Sequence, residues 1–418
     1  MRHLTSVTAG LTAALLIAAP SVLNLAPATA ASTTPTAFAL KASGYGTRVH
    51  GGQVPAHSST TAFEAIGCTN VAGKMHENHV VEADLPGAGT AQDVTSQEWT
   101  THGGGVVASH ATSSVASMVL GDASTMGTVA IDAIRSTVTA SHGPDGFKAV
   151  THTSIGSITY TDSTGMSQNL DAPTPGQPVE IPGLATINLG RDGSTHGANF
   201  ASAIADALTV TMTAFGTSVV VAHAKASVGG DVKHGLFNGR SSGITSQALD
   251  NNVSVGEQPL TLMPCQGTEG RVHAKDLAGL TLDGGMVLQG VHSSQLGDQT
   301  KAAATGQAVG QVASMDLGDG QLVVDTIKGV VNVKRTDSGL TSNIKGSTIG
   351  SITANGEPQE FPPSDVLEIP GVARLERNVV EKTSAGLSVV ALRVTLLDGS
   401  GAVIDLGNAS LYIHKLAQ

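Results

Sequence analysis

The chain has 418 residues, of which only 3% are aromatic, and its 22 Lys and Arg face 33 acidic residues for a net charge of −11. With no basic stripe to neutralise phosphates, nucleic acid is excluded as an expected partner, and anionic headgroups are disfavoured for the same reason. Large rings carry much of the apolar burial in most cores. Here Val, Ile, Leu and Ala must supply it, which predicts thin cores between stacked sheets roughly 10 Å apart.

The first predicted element in chain order is a leader. Arg2 and His3 give a short basic start, the apolar run Leu11 to Ala19 follows, and Pro20 breaks it before the small-residue triplet Ala28-Thr29-Ala30. That is the three-part layout of a secretory signal peptide, 1–30, with cleavage expected near Ala30 or Ala31. The run is too short to span a hydrocarbon layer ~30 Å thick. No later stretch approaches a membrane-spanning length, so no transmembrane segment is expected in the mature chain, and the C-terminal residues Tyr412 to Gln418 carry neither a hydrophobic tail nor a sorting signal. The expectation is a secreted, extracellular protein that could also associate with the cell surface.

Beyond the leader, self-comparison is the most informative step. Val115-Ala116-Ser117-Met118 recurs as Val312-Ala313-Ser314-Met315, and both copies run on into Leu-Gly-Asp at 120–122 and 317–319. Ile155-Gly156-Ser157-Ile158-Thr159 recurs as Ile349-Gly350-Ser351-Ile352-Thr353, and Glu180-Ile181-Pro182-Gly183 as Glu368-Ile369-Pro370-Gly371. The order is the same each time, and the offset drifts slowly from 197 to 188 as loops change length. The chain therefore reads as a diverged internal duplication: a first β-rich unit over 31–228, a connector over 229–258 that is rich in Gly, Ser and Asn, and a second β-rich unit over 259–418.

Within each unit the pattern is β. Leu208, Val210 and Met212 alternate with Thr209, Thr211 and Thr213, and Val390, Leu392, Val394 and Leu396 line one face near the end of the second copy. Asp398-Gly399 offers a hairpin turn, and Phe215-Gly216-Thr217-Ser218 stands at the equivalent place in the first copy, so each unit is expected to close with a C-terminal hairpin. Phe200 to Leu208 is the best candidate for a short helical turn. Many short strands with Gly and Pro punctuation predict an all-β fold of two tandem β-sandwich-like units.

The two cysteines obey the repeat register. Cys68 and Cys265 are 197 residues apart, at equivalent places in the two copies. If the copies pack about a pseudo-twofold axis, residues near that axis meet, and an oxidising compartment would pair them; two buried free thiols are the alternative.

Catalytic and metal motifs are weak. Gly239-Arg240-Ser241-Ser242-Gly243 fits the G-x-S-x-G pattern and His102-Gly103-Gly104-Gly105 resembles an oxyanion-hole loop, but the motif needs a strand-to-helix elbow and here lies in the expected connector. His76 and His79 would point to opposite faces of a strand, and the remaining histidines show no ligand spacing. One Trp and three Tyr leave little for the aromatic platforms of a carbohydrate site. Gly44 and Gly46 read as strand or bulge positions rather than a phosphate cradle. No catalytic residue, metal ligand or cofactor is assigned, and Cys68 and Cys265 are the only site residues.

The segment Ala42 to Val49, followed by Gly67-Cys68-Thr69-Asn70, resembles the choice-of-anchor P family of exported proteins from high-GC Gram-positive bacteria. Thr128 to Thr137 and Ile181-Pro182-Gly183-Leu184-Ala185 resemble later segments of the same family. The shared motifs are structural, so no functional residue is carried over. The resemblance implies an exported protein of unknown activity, and this chain departs from anchored members in its C-terminal end. Together these readings predict a secreted structural or interaction protein, not an enzyme, that meets a partner at or outside the cell envelope; a secreted hydrolase is the alternative.

Overall fold

A computed structural model describes residues 32–51, 54–57, 60–214, 216–248, 253–282 and 285–418. The expected leader, Phe215 and residues 249–252 of the expected connector lie outside them. Residues Thr33–Gln418 form one compact unit. Among the described residues every element is a strand or a turn, and all paired strands are antiparallel. Among the described residues no helix is long and apolar enough to cross a membrane.

The duplication is visible as identical strand order. Sheet I runs Val179–Ile181, Ala185–Leu189, Phe200–Met212, Thr217–Gly229, Thr34–Gly51, Val54–His57. Sheet IV runs Val366–Ile369, Ala373–Lys382, Gly386–Leu396, Val403–His414, Leu236–Ala248, Val253–Gln258, which is the same path in the second copy. Sheet II runs Met75–Leu85, Gly89–Gly103, Val106–Asp122, Gly127–Gly143, Ile158–Thr161, Ser167–Leu170. Sheet III repeats it as His273–Leu282, Met286–Gln299, Ala303–Leu317, Leu322–Thr336, Ile352–Ala354, Glu357–Gln359. Sheets I and II share one set of apolar clusters and sheets III and IV another, so each copy is a sandwich.

Bulges recur with the strands. Asp93 and Gly290 have φ of 47° and 57°, Ala133 and Thr326 have 52° and 54°, and Ala222 and Gly407 have 54° and 65°. Each pair occupies equivalent places in the two copies. A left-handed residue inside a strand kinks it and strengthens its twist, which lets two long sheets stay face to face.

Two expectations are corrected. Residues 229–258 are not a connector: Leu236–Ala248 is a central strand paired along its length with Val403–His414, and Val253–Gln258 pairs beside it. The second sandwich thus begins at Leu236, and the link is only the segment 230–235. Its sequence looks like a loop because the strand is packed so closely that bulk is excluded. A Cβ on Gly243 would stand 1.9 Å from Val291 Cγ1, and at the equivalent Gly46 it would stand 1.8 Å from Val94 Cγ1. Phe200–Leu208 is likewise not a helical turn but the start of strand Phe200–Met212, with Ala201, Ala203 and Ala205 turned into the core. Alanine, the best helix former, serves here as the smallest inward side chain.

The close packing has a measurable consequence. Gly243→Ala should destabilise the protein by about 1–3 kcal/mol through overpacking, and Val291→Ala in the same chain should restore part of the loss. Chemical denaturation of the single and double variants checks this, and full additivity of the two losses would argue against the contact.

Candidate functional site

The seam between the sandwiches is built from equivalent residues meeting each other. Ala39 and Leu236, 2% and 3% exposed and 197 positions apart in register, sit in one small cluster with Cys265, and Cys68 packs on it. Cys68 and Cys265 form a disulfide with their Cα atoms 5.5 Å apart. Among the described residues, side-chain hydrogen bonds also cross the seam. Asn70 Nδ2 donates to Ala417 O at 3.0 Å while Ala417 N donates back to Asn70 Oδ1 at 2.9 Å, and Asn199 Nδ2 donates to Glu269 Oε1 at 3.0 Å. The link itself is pinned by Gln299 Oε1, which accepts from Lys233 N and His234 N at 2.9 Å each.

Beside this seam lies a cleft of about 430 Å³, within the range of small-molecule sites. One wall is the outward face of sheet I, carrying Lys41, Ser202 and Lys225; the other is the segment Leu262 to His273 of the second copy, which includes Cys265. Lys41 and Lys225 reach the same face because Lys41 pairs with Ser227 and Ser43 with Lys225 on adjacent strands. Both lysines are half-buried, and burial holds each ammonium below its ordinary range. Their mutual repulsion adds to this at Lys41, and Arg191 adds to it at Lys225. Among the described residues neither lysine has a carboxylate in ion-pair contact.

Further along the same face, His223 Nδ1 lies 2.5 Å from Asp206 Oδ1, and Arg191 Nε lies 3.3 Å from Asp206 Oδ2. The ring of Tyr45 stacks on His223 at 4.4 Å. Burial raises the Tyr45 phenol above its ordinary value, with Asp206 reinforcing the shift. An Asp–His pair is two parts of a nucleophilic triad, yet among the described residues no serine or cysteine is hydrogen-bonded to His223.

A third polar feature lies inside the first sandwich. Glu98 is fully buried, and neither carboxyl oxygen has a hydrogen-bond partner among the described residues. Burial pushes its pKa up to about 8, with Glu64 contributing. Beside it Ser96 Oγ and Ser113 Oγ are 2.6 Å apart. The position equivalent to Glu98 in the second copy is Gln295, 1% exposed and also unpaired at both amide atoms. The two sandwiches therefore bury a long polar side chain at this equivalent position, an acid in the first and an amide in the second.

The structure brings together one set of residues singled out in the sequence, the cysteines. Ser241 is 1% exposed in the middle of a strand and its Oγ donates to Ser294 O at 3.0 Å, which is not the geometry of a nucleophile elbow. His102 is the penultimate residue of strand Gly89–Gly103, and Gly104 and Gly105 form the turn that follows, within sheet II rather than beside Ser241. His76 Nδ1 approaches Glu64 Oε1 at 3.3 Å, whereas His79 Nε2 approaches Asp93 Oδ1 at 3.5 Å, so the two imidazoles serve different neighbours. Among the described residues no group of three or more His, Cys, Asp or Glu converges as a metal site would.

Sequence reasoning missed Lys41, Lys225 and Arg271, and the Asp206–His223 pair. The basic cluster is assembled from three distant segments of an acidic chain. The repeat alignment held the one signal that could have found it: Lys41 stands where the second copy has Asn238, and Lys225 where it has Ser410.

The fold and its seam define a class: an all-β protein of two like sandwiches, joined across their junction by a disulfide, with a cationic cleft beside it. Comparison with protein-family models found no match, and comparison with curated proteins found none either.

Proposed function

We propose that this is an exported structural or interaction protein that works at or outside the cell envelope. The observation that carries the reading is the Cys68–Cys265 bond, which joins equivalent positions of the two copies. Disulfides form and persist in oxidising compartments and are rare where glutathione and thioredoxin keep thiols reduced. The leader-like run over residues 1–30 supports the same address, as does the resemblance of the mature chain to the choice-of-anchor P family. Two sandwiches held rigidly together present sheet faces and a seam to a partner, which suits recognition better than chemistry.

Fractionation of producing cells tests the reading. The protein is expected in the medium or with the washed wall, lacking its first 30 or 31 residues. Recovery from the cytosol with residues 1–30 still attached would overturn it.

A further inference from the structure

We infer that the cleft between the two sandwiches binds an oxyanion at the head of a hydrocarbon chain, with Lys41, Lys225 and Arg271 meeting the anion and Phe200, Leu262 and Met263 meeting the chain. This goes beyond export and does not depend on it, since a cytosolic protein would carry the same cleft.

Charge is the first argument. The chain has 33 acidic residues against 22 basic ones, so three cations around one cleft are not its background composition. Half-buried ammonium groups without carboxylate partners are costly, and a carboxylate or phosphate would give them charge-assisted hydrogen bonds. Glu269 also borders the cleft, but its Oε1 already accepts from Asn199 Nδ2 at 3.0 Å.

The second argument is the duplication itself, which acts as an internal control. The second copy builds the same sheet in the same register with Asn238 and Ser410 where the first has Lys41 and Lys225. The sheet does not need those lysines in order to fold. A feature absent from the fold's requirements and placed at a cleft is a sign of ligand selection.

The third is the apolar wall. Phe200 is 41% exposed and Leu262 47% exposed, and both border the cleft with Met263 and Pro264. An exposed ring and an exposed leucine lining the same cleft as three cations suit an amphiphile better than inorganic phosphate. Cys265 is part of the same wall, so the disulfide that joins the sandwiches also fixes the distance between the two sides.

Titration calorimetry of the intact, oxidised protein with dodecanoate tests the site. Saturable binding at one site per chain is expected, with dodecanol and acetate each at least about tenfold weaker because each lacks one half of the recognition. The double variant K41N/K225S, which installs the second copy's own residues, should weaken dodecanoate binding by about tenfold or more, and R271A, at an exposed position, by a smaller factor. Far-ultraviolet circular dichroism of both variants should match the parent. Vesicles of phosphatidylglycerol that displace dodecanoate would identify a lipid headgroup as the source of the anion; failure to displace it would identify a free acid, and either supports the site. Undiminished binding by both K41N/K225S and R271A, equal binding of dodecanol, or no saturable binding of dodecanoate would overturn it.

Discussion

Reduction of Cys68–Cys265 should lower the unfolding free energy by up to about 5 kcal/mol, the loop-closure entropy of a cross-link spanning nearly 200 residues. Among the described residues the polar ties that stand beside the disulfide at the seam are weak singly. The Asn70–Ala417 pair and the Asn199–Glu269 bond are hydrogen bonds of roughly 1 kcal/mol each, and the apolar cluster around Ala39 and Leu236 is small. The sandwiches themselves keep their own cores, so the expected loss is in the coupling between them. Guanidinium melts of oxidised and reduced protein, and of a chain carrying both Cys68→Ser and Cys265→Ser, should show a lower midpoint and loss of a single shared transition. Superimposable curves would mean that the seam is held by something other than the disulfide.

Glu98→Gln should raise stability at neutral pH and remove most of its pH dependence. The buried carboxyl titrates near 8 in the folded protein, whereas an exposed glutamate titrates near 4.5. Between these values the folded state holds a proton that the unfolded state has released, so stability falls as pH rises. The contribution is fully present below about pH 4.5 and is lost through pH 8, with a slope of at most about 1.4 kcal/mol per pH unit. At pH 7 the substitution should therefore gain roughly 3 kcal/mol. Gln295 is the amide that the second sandwich buries in the same place. Denaturation from pH 5 to pH 8 checks this: a flat profile in the parent, or an equally steep one in the variant, would contradict it.

The sequence disclosed the duplication because its repeated segments sit where the fold tolerates little change. Val115–Met118 and Val312–Met315 fall on central strands and face Asp132 and Asp325 through Ser117 and Ser314 in the same register. Gly156 and Gly350 lie so close to the carbonyls of Asp132 and Asp325 that a side chain there would collide with the backbone. The cysteine pairing followed from that register. The strand Leu236–Ala248 was hidden because Gly239, Ser241, Ser242 and Gly243 lack the bulk that marks a strand; Gly239 and Gly243 lack it because Gln295 and Val291 fill the space a side chain there would take. The cleft was hidden for a different reason. Lys41, Lys225 and Arg271 are unremarked singly, and only strand pairing and the seam place them together.

Intact-mass measurement of the protein from producing cells, alkylated in denaturant without reductant, tests the central claim most directly. A duplicated, exported chain bolted through its seam predicts a mass that lacks the first 30 or 31 residues and carries no alkyl group at Cys68 or Cys265. A full-length mass with both cysteines alkylated would contradict the export and the bolt together.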